Sequence, residues 1–207
     1  HRSWSEISGN WVTTPPNVLA AHNEYAPESA HILWAKPLTQ GGVIGGKLGN
    51  HAYDCGDAYR GKYQSPIIID GVLFINLAAS GFTGPLMPQQ GVMAVDLHTG
   101  QELWFRNNTG INFGQTIYWS SPNMHGGFAY LWETESIFDP ATFTTKTNWH
   151  AYDPFSGEWV YTLTNVPEVG GGFGPSLSRR GENGEILAYD LNLADGWMAM
   201  WNSSNIP

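Results

Sequence analysis

The sequence predicts an all-β chain of repeated four-stranded antiparallel meanders, and three observations carry that expectation. First, Ala94-Val95-Asp96-Leu97-His98-Thr99-Gly100-Gln101-Glu102-Leu103-Trp104 returns 57 residues later as Ala151-Tyr152-Asp153-Pro154-Phe155-Ser156-Gly157-Glu158-Trp159-Val160-Tyr161. Both segments read Ala-x-Asp-x-x-(Thr/Ser)-Gly-x-x-x-aromatic. Second, Ser65-Pro66 and Ser121-Pro122, 56 residues apart, each open a strand-like run ahead of the motif. Matched landmarks at nearly equal offsets mark a repeat architecture. Third, short runs of β-branched and aromatic residues are punctuated by Gly, Pro, Asp and Asn, with no strong helical period.

The elements follow in order. Residues 1–30 form a lead-in, and His31-Ile32-Leu33-Trp34 has the pattern of a closing fourth strand whose earlier strands are absent. In the first complete unit, about 64–107, Ile67-Ile68-Ile69 meets the hairpin signal Asp70-Gly71 and continues as Val72 to Leu77. A polar loop, Ala79 to Gln90, leads to Gly91–Asp96; the Thr99-Gly100 turn then leads to Glu102–Phe105. The second unit, about 119–165, runs from Trp119 through Gly127–Trp132 to Asn148–Asp153, with a long Thr-rich connection from Glu133 to Thr147. The third, about 173–207 and incomplete, turns at Asn183-Gly184 and reaches Gly196–Trp201. There Ala199 takes the place of Ala94 and Ala151, and Trp201 stands where the Asp would be.

The repeated segment has a local rationale. Asp96 and Asp153 can accept hydrogen bonds from backbone and hydroxyl donors of the turns they open, and Thr99 and Ser156 can supply them. Gly100 and Gly157 permit a positive φ. Ala94 and Ala151 are small enough for an aromatic ring of a neighbouring sheet to lie close. Trp104 and Tyr161 offer large apolar faces for docking. These residues are therefore read as structural, with no catalytic role for either Asp.

On these motifs the units resemble the blades of the quinoprotein-like β-propeller family, also called the PQQ-like repeat, and the Ala-x-Asp segment resembles that family's blade motif. The resemblance spans about residues 31–204. Arg2 to Trp11, His31 to Trp34 and Gly41 to Gly46 are similar to archaeal secreted or surface proteins of this class. Propellers have about 4–8 blades, and three with remnants are present here. The resemblance thus implies part of a larger propeller, completed by the rest of a longer polypeptide or by other chains; the missing initiator Met agrees with processing or truncation. The family's quinone enzymes carry an adjacent Cys-Cys pair, a Trp floor, a bound calcium and an Asp base. This chain has a single cysteine, Cys55, so no such pair exists and no intrachain disulfide can form. The expectation is no catalytic residue, no cofactor and no metal.

Composition narrows the partners. Nine Lys and Arg against 18 Asp and Glu give a net charge of −9, leaving no basic stripe for nucleic acid. No run approaches the roughly 18 apolar residues of a membrane-spanning helix. Asn107-Asn108-Thr109 and Asn202-Ser203-Ser204 fit the N-glycosylation pattern, which with the acidic, Cys-poor composition favours an exported protein, extracellular or at the cell surface.

Seven His are scattered without zinc spacing; His98 and His125 are read into turns and His150 as half-buried. Asp54 with Asp57, and Asp190 with Asn192 and Asp195, have oxygen ligands suited to Ca²⁺ in a loop but match no calcium-loop pattern, so hydrated carboxylates are expected. The glycine segments Gly41–Gly46 and Gly170–Gly174 lack the context of a phosphate cradle and suit close chain crossings. Arg179-Arg180 beside Glu182 reads as a solvated turn. The ten Trp exceed what sheet docking needs, and Trp159, out of register with Tyr161, is the candidate external contact. The expected function is a non-catalytic structural or protein-interaction module. A carbohydrate- or small-ligand-binding propeller using exposed aromatics is the alternative, and a quinone-dependent dehydrogenase fragment the third reading.

Overall fold

The computed structural model describes residues 29–36, 66–77, 91–141, 143–167, 178–192 and 194–205. Among them the chain is all-β, in three antiparallel sheets of four, four and three strands, none closed on itself. The chain divides into two compact units, His1–Gly110 and Ile111–Pro207. Cys55, Asp54, Asp57, both glycine segments and the lead-in as far as residue 28 lie outside the described residues.

In the first unit, β1 (Ile67–Ile69), β2 (Val72–Leu77), β3 (Gly91–Asp96) and β4 (Glu102–Asn107) form a meander in chain order. Asp70 and Gly71 have φ of 47° and 75°, the paired left-handed residues that a two-residue hairpin requires. Strand β3 is buried along both faces. One face joins Ile75, Met93 and Val95 to Phe105 and Trp34. On the other, Phe74, Ala94 and Trp104 lie side by side, and the two rings meet 5.8 Å apart across the alanine.

The second unit repeats this cross-section. Strands β5 (Phe113–Ser121), β6 (Met124–Asp139), β7 (Thr144–Tyr152) and β8 (Trp159–Val166) again pair in chain order. Trp132, Ala151 and Tyr161 lie side by side, with the Trp and Tyr rings 5.7 Å apart. In both sheets the register slips immediately after the alanine, at Ala94/Val95 and Ala151/Tyr152. The rings over each alanine thus come from flanking strands of its own sheet, whereas a neighbouring sheet was expected to supply them. A small residue is required because the two large side chains share its space.

Strands β9 (Ser178–Arg180), β10 (Ile186–Asn192) and β11 (Trp197–Asn202) make the third sheet, ending in a 3₁₀ turn at Ser203–Asn205. Within the second unit it packs on the β5–β8 sheet through an aromatic pile. Trp132 and Trp149 are almost wholly buried, joined by Ala151, Val166 and Ile186, and Trp201 meets Trp149 edge-on at 5.5 Å. Burying rings of this size removes about 150–250 Å² each from water, about 4–6 kcal/mol apiece at ~25 cal/mol/Å².

Several expectations change in the structure. The Thr-rich stretch from Glu133 to Thr147 is not a loop. It continues β6 and β7 as a two-stranded arm, because β-branched Thr and alternating residues suit a ladder. Asp139 caps its tip by accepting from the Ala141 amide at 2.9 Å. Ser121-Pro122 lies at the β5–β6 hairpin turn and does not open the sheet, which begins at Phe113. His31–Trp34 forms no strand; its hold is the Trp34 indole, which donates to the Leu97 carbonyl at 2.8 Å. A Cβ at Gly100 would lie 2.7 Å from that ring, so glycine here serves both the close approach and its φ of 72°. Ala199 is exposed and faces Asp190 in the ladder, whereas Trp201 pairs with buried Ala188; Ala199 is not the counterpart of Ala94. Arg179 and Arg180 lie in β9, where half-buried Arg180 donates to the Gly114 carbonyl at 3.0 Å and burial lowers its pKa. His125 is in β6, beside Ser120.

Candidate binding groove

The two motif turns are built from matching bonds. Asp96 Oδ1 accepts from the His98 amide, the Thr99 amide and the Thr99 hydroxyl at 2.9, 2.7 and 2.9 Å. Asp153 Oδ1 accepts from the Phe155 amide, the Ser156 amide and the Ser156 hydroxyl at 2.8, 2.8 and 3.1 Å. Each turn is completed by amide donation from Gly100 or Gly157 to the Asp carbonyl, and the glycines have φ of 72° and 73°. The Thr99 amide and then its hydroxyl hold the Asp96 carboxyl below its ordinary pKa. Both carboxylates are thus occupied in closing turns.

The face of the β5–β8 sheet that meets the third sheet continues past it. Residues 113, 115, 117 and 119 of β5 share that face, as do 124, 128, 130 and 132 of β6. The third sheet covers the Phe113 and Gln115 end. Beyond it lies an open groove of about 630 Å³, lined by Ile117, Trp119, Met124, Phe128, Tyr130 and Tyr161, with Ser203, Ser204 and Asn205 as a polar wall. Trp119 and Phe128 are each 43% exposed. Tyr130 and Tyr161 stand edge to face at 5.4 Å. Burial first, then Tyr130, raises the Tyr161 hydroxyl pKa, so it stays protonated at neutral pH.

The polar wall is fixed from beneath. Gln115, 1% exposed, accepts from the Trp132 indole at 2.9 Å and donates to the Gly184 carbonyl and to Ser203 Oγ, both at 3.0 Å. The Ile186 amide also donates to Ser203 Oγ, at 2.8 Å. Ser204 donates its hydroxyl to Asn202 Oδ1 at 2.8 Å. Sequence reasoning missed Gln115 and Ser203. The available signal was a glutamine flanked by Phe113 and Ile117 at strand period, a polar residue on a core face.

Trp159 is not in the groove. The register slip after Ala151 turns it to the opposite face, where its indole donates to Thr162 Oγ1 at 3.1 Å beside half-buried His150; it is 54% exposed. Asn107 is exposed at the end of β4, with the Thr109 hydroxyl accepting from Arg106 Nε at 3.2 Å. Asn202 is half-buried, its carboxamide oxygen taken by the Ser204 amide and hydroxyl. Asp190 and Asn192 lie in β10 and Asp195 in the following turn, not in one loop. Among the described residues no three His, Cys, Asp or Glu converge as a metal-ligand group, and no helix is long and apolar enough to cross a membrane.

The chain matches no protein-family model, no curated protein and no solved structure.

Proposed function

We propose that the chain is a non-catalytic binding module of propeller-type blades, acting outside the cell, and that the groove beside the third sheet takes an uncharged ligand. The groove carries this reading. Its floor is aromatic, and among the described residues no Asp, Glu, Lys, Arg or His lines it. Acid–base chemistry needs a group whose pKa lies near the working pH; the Tyr161 hydroxyl, its pKa raised by burial, keeps its proton at neutral pH, which supports binding over turnover. Glycans on Asn107 or Asn202 fit an exported chain. The blade reading is supported by the twice-repeated aromatic–Ala–aromatic cross-section and the matching Asp turns. Titration with uncharged probes, a proline-rich decapeptide and a neutral trisaccharide, should shift tryptophan emission in the parent protein and not in Trp119→Ala. Silence toward both overturns the reading.

A second reading, a structural module that associates with other chains, is favoured by β11. Among the described residues it is the outer strand of its sheet, where the other two sheets have a fourth strand beyond the third. Trp197, Met198 and Met200 on it are 46%, 65% and 55% exposed. An exposed strand edge pairs with other chains unless it is blocked. Light scattering should then give a mass that rises above 22.8 kDa with concentration. The double variant Met198→Glu, Met200→Glu should return it to the single-chain value. One particle of single-chain mass at every concentration excludes self-association by this edge.

A further inference from the structure

Resting on the groove reading above, we infer that its ligand is a neutral oligosaccharide, seated with a sugar face on Trp119 and Phe128 and its hydroxyl edge on Ser203, Ser204 and Asn205. Ser203 is the observation that points to a ligand. A hydroxyl has two lone pairs and one proton. Gln115 and Ile186 occupy both lone pairs of Ser203, so its proton is left to donate, and no acceptor for it exists among the described residues. The side chain is 7% exposed and lines the groove. It is therefore a donor held in fixed orientation, with its own network preventing it from turning away. Beside it Ser204, whose proton is committed to Asn202, presents lone pairs that accept. Asn205 adds an amide that does both.

One wall thus offers alternating donors and acceptors, and the other offers ring faces. A pyranose has the complementary form, with a C–H face that packs on the negative face of an aromatic ring and an edge of hydroxyls that each donate and accept. The volume is in the range of small-molecule sites, ~300–1,000 Å³. Charge selects among sugars. Among the described residues no cation lines the groove to pair a carboxylate or sulfate, and the net charge of −9 repels acidic glycans.

The test uses the whole chain and calorimetric titration with cellotriose, maltotriose and chitotriose, with tetragalacturonate and the proline-rich decapeptide as contrasts. At least one neutral trisaccharide should bind and tetragalacturonate should not. Trp119→Ala should weaken binding about tenfold and Trp119→Tyr should restore most of it. Trp159→Ala, on the opposite face, should leave it unchanged. Equal melting temperatures for these exposed-site variants separate loss of contact from loss of fold, and Phe128→Ala gives the same reading if Trp119→Ala melts early. Binding of tetragalacturonate in preference, or saccharide binding unaffected by Trp119→Ala, overturns the inference. Peptide binding that needs Trp119, without saccharide binding, overturns the ligand class and leaves the binding-module reading standing. No binding of either removes both.

Discussion

Gly184→Ala should release the third sheet from the second unit. Gly184 is buried at the β9–β10 turn with φ of 83°, a conformation that costs an L-residue ~1–2 kcal/mol. A Cβ there would also collide with the Thr116 carbonyl oxygen of β5. That oxygen is backbone and cannot rotate aside. Nor can the turn withdraw freely, because the Tyr118 amide donates to the Asn183 carbonyl at 2.9 Å and Gln115 holds the Gly184 carbonyl. Strain and collision together should cost about 4–5 kcal/mol, the upper end for single substitutions. In a chain of this size that lowers the melting midpoint by ~8–20 °C. Gly196→Ala is the internal comparison, since its φ is 70° but nothing lies within 4 Å of the added carbon. It should show the strain alone. Equal midpoints for the two variants would show that the turn yields, and the docking account would fail.

Gln115→Leu should cost about 2–5 kcal/mol in chemical denaturation, although leucine has similar bulk. Three hydrogen bonds are lost, and the Trp132 indole N–H and the Gly184 carbonyl are left dry at ~1–3 kcal/mol each. The loss should be accompanied by a change at the groove, because Ser203 is released from one of the two donors that orient it. If Gln115→Leu is as stable as the parent protein, water or a shifted neighbour replaces the amide, and the bridge between the two sheets is not what joins them.

Strand content and the motif turns were legible because they are local. Asp70-Gly71 and Asp96 through Gly100 act within a few residues, so turn chemistry and periodicity suffice. The arm was hidden because Thr counts as a loop former by composition and as a strand former by its branched Cβ; the pairing of Glu133–Asp139 with Thr144–His150 decides for the second. The Ser-Pro match misled because a proline suits a hairpin turn as well as a strand start. The groove depends on contacts far apart in sequence, Gln115 to Ser203 and Tyr161 beside Tyr130. No local window contains them. Trp159 drew notice as a surplus aromatic, while Trp119, equally surplus, stood in the groove.

Since Asp96 and Asp153 close their loops with the same atoms, the chain carries a replicate of one structural experiment in two surroundings. Trp34 rests on the glycine of the first turn, and the two turns enclose different residues, Leu97 and His98 in the first and Pro154 and Phe155 in the second. The same exchange made at both sites cancels the shared aspartate bonds from the comparison. What remains is the contribution of the neighbourhood, measured within one molecule under identical solvent, concentration and temperature.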